Sequence, residues 1–381
     1  MAEVIRNTVS ICAHCMKQIP ATIKVDPETN WVVMEKTCKE CNESFKDIIS
    51  KDPEGYKWKQ SVAQELDSLV STTPNNVNKN KCEQGCPHDC GMCEQHVSAP
   101  CSLIIDPTNR CNLACPFCYA NASNKGVIVE YTYDEIVRIL THFANMKPNK
   151  PALVQFAGGE PTLHPDIVKI VKKTYELGFQ HVMLDTNGIR MAKDIELCRQ
   201  LKQAGLGAIY LSFDGLEPET WKKNRGVDLS KVKRKFIENC RAVGLDGIML
   251  VVTVAKGTND HEIENIMNFA KENADVVAGI VFQPVSLCGR IAYEDILKLR
   301  YTSSDLEKEL ARITNGKLTR FYPLAFSGKF TALLAWFNDL PMWSLTSHPD
   351  CGFATILPFN EQGEWESLED YADLEGLVKW S

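Results

Sequence analysis

The chain has 381 residues, 44% of them hydrophobic, which is enough for one large α/β domain and one or two small modules. Its formal net charge of -7, from 49 acidic and 42 basic side chains, excludes the broad basic surface that nucleic-acid backbones select. No stretch approaches the roughly 20 consecutive apolar residues that cross a bilayer, and no signal-peptide apolar region follows the N-terminus, which predicts a cytoplasmic protein.

The first 50 residues carry two paired motifs, Cys12-x2-Cys15 and Cys38-x2-Cys41, separated by β-prone runs. Eleven of the sixteen cysteines stand in tight clusters, which indicates metal or iron-sulfur ligation rather than the disulfides of small secreted domains. These four thiolates fit either a structural zinc knuckle or a rubredoxin-like single iron, because both metals accept tetrahedral sulfur ligands. Zinc is the metal that more commonly occupies sites with this cysteine spacing. Iron is favoured because a reductive enzyme could use a further redox centre.

Residues 51–80 begin with a charged, helical pattern and end in a polar, turn-rich linker. The run CEQGCPHDCGMC follows, and its glycines and proline exclude a regular helix. Four thiolates in so short a segment are typical of ferredoxin-like clusters. We therefore predict an auxiliary 4Fe-4S cluster bound by Cys82, Cys86, Cys90 and Cys93.

From residue 101 onward, short apolar runs alternate with amphipathic segments. Strand patterns occur in SLIID, ALVQF, HVMLD, AIYLSF, IMLVVTV and GIVFQPV, and segments such as DIVKIVKKTYELG show helical spacing. Six successive βα units predict a parallel sheet with helices outside. After about residue 300 this repeat ends, and the chain stops without a helix-ending signal, which predicts that a C-terminal portion is missing.

Three cysteines, Cys111, Cys115 and Cys118, stand within eight positions after the first strand pattern. Three thiolates can bind three irons of a 4Fe-4S cube and leave one iron open to a small ligand. The run CNLACPFC resembles the Cys-x3-Cys-x-aromatic-Cys signature of the radical S-adenosylmethionine (SAM) superfamily, with Phe117 as the aromatic residue. This resemblance implies a partial (β/α)6 TIM-like barrel in which SAM binds the open iron. It also implies reductive cleavage of SAM to a 5'-deoxyadenosyl radical, which abstracts hydrogen from unactivated carbon.

Other short motifs suit SAM binding and follow successive strand patterns. In FAGGEP, two glycines permit close backbone approach to a ligand, and the carboxylate suits the methionine ammonium. The fourth strand pattern ends in LSFDG, which the resemblance implies faces the ribose as the ribose motif of this superfamily does, while DTNG follows the third strand pattern. The GGEP and SFDG motifs can each be an ordinary turn when taken alone. Sites in βα barrels, however, gather at the carboxyl ends of strands, which is where these motifs lie. The residues predicted to bind the cofactor are Phe117, Gly158, Gly159, Glu160, Pro161, Asn187, Ser212 and Asp214; no catalytic residue is predicted.

The remaining cysteines are isolated in sequence. Cys198 and Cys240 lie in amphipathic helical patterns, where a lone thiol is most often a small buried hydrophobe. Cys101, Cys288 and Cys351 could converge in space on a third cluster.

The order of the cysteine motifs resembles that of the archaeal tetraether synthase group. A rubredoxin-like knuckle comes first, followed by CPHDCGMCEQH and then by TNRCNLACPFCYANA. That resemblance implies an enzyme that couples the isoprenoid tails of diether lipids by carbon-carbon bond formation. It implies a ferredoxin- or flavodoxin-like reductant and, because the substrate is a lipid, association with the membrane periphery. A lipid substrate requires a long apolar channel, and an aromatic stretch near the C-terminus could line it. The same residues could equally form an ordinary packed core. They are Phe321, Tyr322, Phe326, Phe330, Trp336, Phe337 and Trp343.

Two alternatives remain open. One is a radical methyltransferase acting on a dihydropterin in methanopterin assembly, which a polar pocket would favour over a long apolar tunnel. The other is a non-catalytic iron-sulfur electron carrier. The predicted segments are a four-cysteine module (1–50), a helix, linker and auxiliary cluster segment (51–100), a radical SAM core (101–300) and a C-terminal region (301–381).

Overall fold

The computed structural model describes residues 3–66, 76, 81, 83, 100–122, 125–147, 150–286, 288–324, 350, 352–374 and 376. The chain divides into two compact units. One comprises Met1–Leu69 and Tyr301–Ser381, and the other comprises Val70–Arg300. The C-terminal region therefore belongs to the same unit as the four-cysteine module.

The first unit contains a four-stranded antiparallel sheet in which each strand pairs with the next along the chain. Ile23 and Val32 on this sheet and Tyr56 on the following helix form a small buried cluster. The elements of this unit are β1 (Glu3–Ile11), β2 (Gln18–Val25), β3 (Val32–Cys38), β4 (Glu43–Ser50), α1 (Pro53–Leu66), α10 (Ser303–Ile313), β11 (Tyr322–Pro323) and β12 (Phe353–Ala354).

The second unit contains six parallel strands in the order β10-β9-β8-β7-β6-β5. Each strand pairs with its neighbour in sequence, as successive βα units require. The predicted parallel sheet of six βα units is confirmed, and all six strand patterns form strands. They are β5 (Ser102–Ile105), β6 (Leu153–Phe156), β7 (His181–Thr186), β8 (Ala208–Ser212), β9 (Ile248–Val254) and β10 (Val277–Pro284).

Amphipathic helices connect these strands. In α3, for example, Ile167, Ile170, Val171 and Thr174 are buried at the spacing of one helical face. Within the described part of the chain, no helix combines the length and apolarity that a bilayer span requires. The helices of this unit are α2 (Tyr133–Ala144), α3 (Ile167–Glu176), α4 (Ile189–Lys193), α5 (Ile195–Gln203), α6 (Pro218–Arg225), α7 (Ser230–Val243), α8 (Ile263–Glu272) and α9 (Tyr293–Leu299).

The two faces of the parallel sheet differ in burial and polarity. Residues such as Phe156, Leu184 and Leu211 are fully buried. The alternate positions, including Gln155 and Asp185, are less buried and lie on the opposite face, which we call the inner face. The sheet therefore offers a partly polar inner surface next to the ends of its strands.

Candidate iron-sulfur and SAM site

The loop that follows β5 carries the three cysteines of the signature at the carboxyl edge of the sheet. Cys111 and Cys115 are each 8% exposed, and Cys118 is half-buried. Phe117, between the second and third cysteines, packs against a buried apolar cluster formed by residues that follow β9 and β10. Its ring therefore anchors the loop, and its contact with SAM stays a prediction.

The donor set of this loop fits an iron-sulfur cube. Among the described residues, these three sulfurs do not form a group within 4.8 Å of one another, unlike the four cysteines of the N-terminal module. Burial raises the pKa of the Cys111 thiol to about 11, so the thiolate requires positive charge such as that of iron. The backbone N–H of Ala122 donates to the Cys118 sulfur at 3.3 Å. Hydrogen bonds to ligand sulfurs of this kind tune cluster potentials.

The GGEP turn lies directly against the beginning of the cysteine loop. The Gly159 N–H donates to the Thr108 carbonyl at 3.0 Å, and the Glu160 N–H donates to the Arg110 carbonyl at 2.8 Å. A Cβ atom at Gly159 would lie 2.2 Å from the Arg110 carbonyl oxygen. Gly158 has φ +94°, a conformation that favours glycine. Both glycines are therefore needed for the turn to reach the loop.

Glu160 connects this turn to the end of β7. Its carboxylate is 1% exposed and accepts hydrogen bonds from the hydroxyl of Thr162 at 2.5 Å, the hydroxyl of Thr186 at 2.7 Å and the N–H of Asn187 at 2.8 Å. The Asn187 side chain in turn donates to the Asn112 side chain in the cysteine loop at 2.7 Å. The predicted residues Glu160 and Asn187 thus lie together beside the cysteines.

Asp214, predicted to contact the ribose, is fully buried and already bound within the protein. One of its oxygens accepts from the Arg225 guanidinium and from the Thr253 N–H, each at 2.9 Å. The other accepts from the Arg225 Nε. The same guanidinium lies 4.0 Å from the Cys115 sulfur. Asp214 therefore holds a cation beside the cluster ligands, and the half-buried Ser212 keeps the role of ribose contact as a prediction.

Arg290 is a second arginine that the sequence interpretation missed. Its guanidinium donates to the Cys115 carbonyl at 2.8 Å and to the Ala122 carbonyl at 2.7 Å. The backbone N–H of Arg290 donates to the Cys118 carbonyl at 3.0 Å. Its position after the last strand of the sheet is the sequence signal that could have drawn attention to it.

Lys233 is a further missed residue and is fully buried on α7. Its amino group donates to the Asn187 carbonyl at 2.5 Å and lies 4.9 Å from the centre of the Trp221 ring. Burial, together with the positive charge of the nearby Arg225, lowers the pKa of Lys233 to about 7. A buried lysine in a helical pattern gives no signal in the sequence.

The third cluster suggested for Cys101, Cys288 and Cys351 is not supported by the two cysteines that the structure describes. Cys101 precedes β5, whereas Cys288 follows β10, so they lie at opposite edges of a parallel sheet. Cys351 lies outside the described residues. Cys198 and Cys240 are both buried, as expected.

The four-cysteine module gathers Cys12, Cys15, Cys38 and Cys41 with all four sulfurs within 4.8 Å of one another. The Cys12 and Cys41 sulfurs are 3.8 Å apart, and the Cys15 and Cys38 sulfurs are 3.7 Å apart. A tetrahedral ion with bonds of about 2.3 Å to sulfur requires a separation of about 3.8 Å. The arrangement therefore fits a single zinc or iron ion.

Two parts of the chain match known protein families. Residues 105–270 match the radical SAM superfamily, and residues 4–51 match the HMPTM N-terminal zinc ribbon domain. The chain is 39% identical over 376 residues to 7,8-dihydro-6-hydroxymethylpterin dimethyltransferase of Methanocaldococcus jannaschii. This match covers 98% of this chain and 72% of that protein. The chain belongs to the radical SAM superfamily. Members of this superfamily bind a 4Fe-4S cluster and SAM, so the predicted SAM-binding cluster and SAM are confirmed as cofactors.

More distant matches cover less of this radical SAM protein. A probable GTP 3',8-cyclase of Methanothermobacter marburgensis is 29% identical over 60% of this chain and 71% of its own length. The crystal structure of Streptococcus suis SuiB bound to S-adenosylmethionine is 22% identical, with a TM-score of 0.45 over 57% of this chain and 47% of that one.

The predicted coupling of lipid tails is contradicted by the Methanocaldococcus relative, because that protein is named for transfer of methyl groups to a pterin. The tetraether synthase assignment is thereby corrected, and the alternative of a radical methyltransferase is favoured. The zinc ribbon match likewise favours zinc over the iron suggested for the four-cysteine module. The auxiliary ligands Cys82, Cys86, Cys90 and Cys93 lie outside the described residues. Most of the aromatic stretch also lies outside them: Phe326, Phe330, Trp336, Phe337 and Trp343.

Replacing Cys38 with serine is expected to remove about one zinc equivalent per chain while leaving the iron content unchanged. Cys38 is 1% exposed, and loss of one of four ligands opens a structural site that supplies folding free energy. Elemental analysis measures both metals, and hydrogen exchange should increase within residues 3–51. The control is Cys198→Ala, which removes a buried thiol outside the zinc site. Retention of zinc by Cys38→Ser would show that this thiol is not a ligand.

Proposed function

We propose that this chain is a radical SAM methyltransferase that acts on a carbon atom of a reduced 6-hydroxymethylpterin. The observation that carries the proposal is the 39% identity, over 98% of this chain, to the Methanocaldococcus relative named for that substrate. The similarity extends through the zinc ribbon as well as the parallel sheet.

The polarity of the inner face supports this proposal. A long apolar tunnel would suit lipid tails, but the inner face beside the cysteine loop carries an amide, a carboxylate and a phenol, from Gln155, Asp185 and Tyr210. A mainly apolar wall with a few convergent polar groups is typical of sites that bind small molecules. A heterocycle with several N–H and carbonyl groups fits such a surface.

In this proposal the chain's own residues hold the cofactors in place. When bound, the cluster and SAM supply reductive radical chemistry. Cys111, Cys115 and Cys118 would bind the cluster, and the GGEP turn would present its backbone to SAM. Glu160 would hold that turn against the end of β7 through its hydrogen bonds to Thr186 and Asn187. A ferredoxin- or flavodoxin-like protein would supply the electrons.

Anaerobic incubation of the reconstituted protein with a reductant, SAM and 7,8-dihydro-6-hydroxymethylpterin tests the proposal. Mass spectrometry should detect the pterin with one or two added methyl groups, together with 5'-deoxyadenosine. SAM labelled in its methyl carbon shows whether SAM also supplies the methyl group. Cys115→Ala is the control that should lose both products and retain zinc.

Two results would contradict the proposal. Cleavage of SAM with no change in the mass of the pterin would exclude methyl transfer to this substrate. Reduction of the protein without any cleavage of SAM would instead favour an electron carrier.

A further inference from the structure

Asp185 is a carboxylate on the inner face, near the end of β7. Its two oxygens share one donor group, the Gln155 amide nitrogen, at 2.8 and 2.9 Å. The charged groups that act on it are the carboxylates of Asp106 and Glu160, and no Lys, Arg or His of the described residues is among them. Each oxygen of Asp185 can therefore accept a further hydrogen bond.

Leaving this carboxylate without a cation is unfavourable. Burial raises the pKa of Asp185 to about 7, and the negative charges of Asp106 and Glu160 act in the same direction. A desolvated carboxylate without a counter-charge costs folding free energy. Such groups are concentrated at sites where a ligand supplies the missing partner.

The residues that neighbour Asp185 in the register of the sheet have flat or polarisable side chains. Tyr210 pairs with Asp185 across β7 and β8, and Met249 pairs with Tyr210 on β9. Met183 lies two residues before Asp185 and so shares its face of the sheet. Aromatic rings and thioethers pack well against planar heterocycles. This part of the inner face can therefore hold a flat ring next to the carboxylate.

The two residues that follow Asp185 contact the GGEP turn and the cysteine loop. Thr186 donates to Glu160 at 2.7 Å, and the Asn187 side chain donates to Asn112 in the cysteine loop at 2.7 Å. A ligand bound at Asp185 would consequently lie at the same edge of the sheet as the three cysteines.

We infer that Asp185 binds the 2-amino and N3–H edge of a pterin, with Gln155 holding the carboxylate in position; this inference rests on the proposed function. The pyrimidine ring of a pterin presents two parallel N–H donors along this edge. Two parallel donors match the two oxygens of a carboxylate in a bidentate, charge-assisted pair. Binding through this edge leaves C6 and C7, at the opposite end of the bicyclic ring, available for reaction.

The test compares two ligands on two proteins. Equilibrium titration measures binding of 6-hydroxymethylpterin, and of its analogue without the 2-amino group, to the reconstituted holoprotein. The wild type should bind the pterin about 10- to 100-fold more tightly than the analogue, because a charge-assisted hydrogen bond is lost. In Asp185→Asn the difference should fall to about twofold or less. The exposed Asp275→Asn is the control that should discriminate as the wild type does.

A stability measurement separates binding from a structural role. Because the folded protein disfavours the charged form of Asp185, Asp185→Asn should unfold at a higher denaturant concentration than the wild type at pH 8. If Asp185 were needed only for folding, Asp185→Asn would unfold at a lower denaturant concentration than the wild type.

The inference is overturned if Asp185→Asn discriminates between the two ligands as the wild type does, or loses binding together with stability. If the wild type methylates the pterin while either of these results is obtained, the inference fails and the proposed function stands. If the wild-type holoprotein neither binds nor methylates the pterin, both fail.

Discussion

Gly159→Ala is expected to lower the rate of SAM cleavage by about 100-fold or more and to reduce cluster content. The added Cβ would lie 2.2 Å from the Arg110 carbonyl oxygen and 2.7 Å from the carbonyl carbon of Asn109. Ordinary contacts between carbon and oxygen are about 3.3 Å or longer, so the cysteine loop would have to move by about 1 Å. Both contacts are with backbone atoms, so no side chain can rotate to relieve them.

Iron and sulfide analysis measures cluster content, and quantification of 5'-deoxyadenosine under reducing conditions measures cleavage. Gly207→Ala is a matched control, because its Cβ would have only an ordinary contact, 3.8 Å from the Val182 carbonyl oxygen. Wild-type iron content and a wild-type rate in Gly159→Ala would show that the turn does not have to approach the loop so closely.

Arg225→Gln is expected to lower the free energy of unfolding by about 3–5 kcal/mol, because Asp214 would remain buried without its counter-charge. The Asp214 side chain is fully buried, and that of Arg225 is 15% exposed. The guanidinium also lies 4.0 Å from the Cys115 sulfur, so its loss should move the cluster potential to more negative values. Anaerobic denaturation measures the first effect, and potentiometry followed by electron paramagnetic resonance measures the second.

Arg241→Gln provides the control for Arg225→Gln. Arg241 also forms an ion pair with an aspartate, Asp275, but these side chains are 41% and 53% exposed. Exposed pairs of this kind contribute about 0–1 kcal/mol. The double variant Arg225→Gln/Asp214→Asn should recover part of the lost stability, because it removes the unpaired charge. Equal stability of Arg225→Gln and Arg241→Gln would contradict the role given to the buried pair.

The parallel sheet could be predicted because its signal is local. Each strand is a short apolar run, and each connecting helix repeats its apolar residues at 3.6-residue spacing, so a window of the sequence contains the whole pattern. The cysteine loop and the GGEP motif are local in the same sense. Their shared position followed from the rule that the carboxyl ends of parallel strands meet at one edge.

The substrate could not be predicted in the same way. Aromatic residues near the C-terminus suit an apolar channel and an ordinary core equally well, so they did not distinguish a lipid from a pterin. The similarity to the Methanocaldococcus protein corrected the prediction. The polar inner face also needed the strand register, because only the register places Gln155, Asp185 and Tyr210 side by side.

By itself, the sequence determined the radical SAM fold, the three-cysteine loop predicted to bind the cluster and the paired cysteines of the zinc ribbon, since each depends on residues a few positions apart. Only the tertiary structure decided that Arg225 and Arg290 reach Cys115, because they stand 110 and 175 residues away along the chain. It also decided that Asp214 binds an arginine and that Asp185 has no cationic partner among the described residues. Contacts between distant residues arise from the packing of strands and helices, which no local pattern of residue types records.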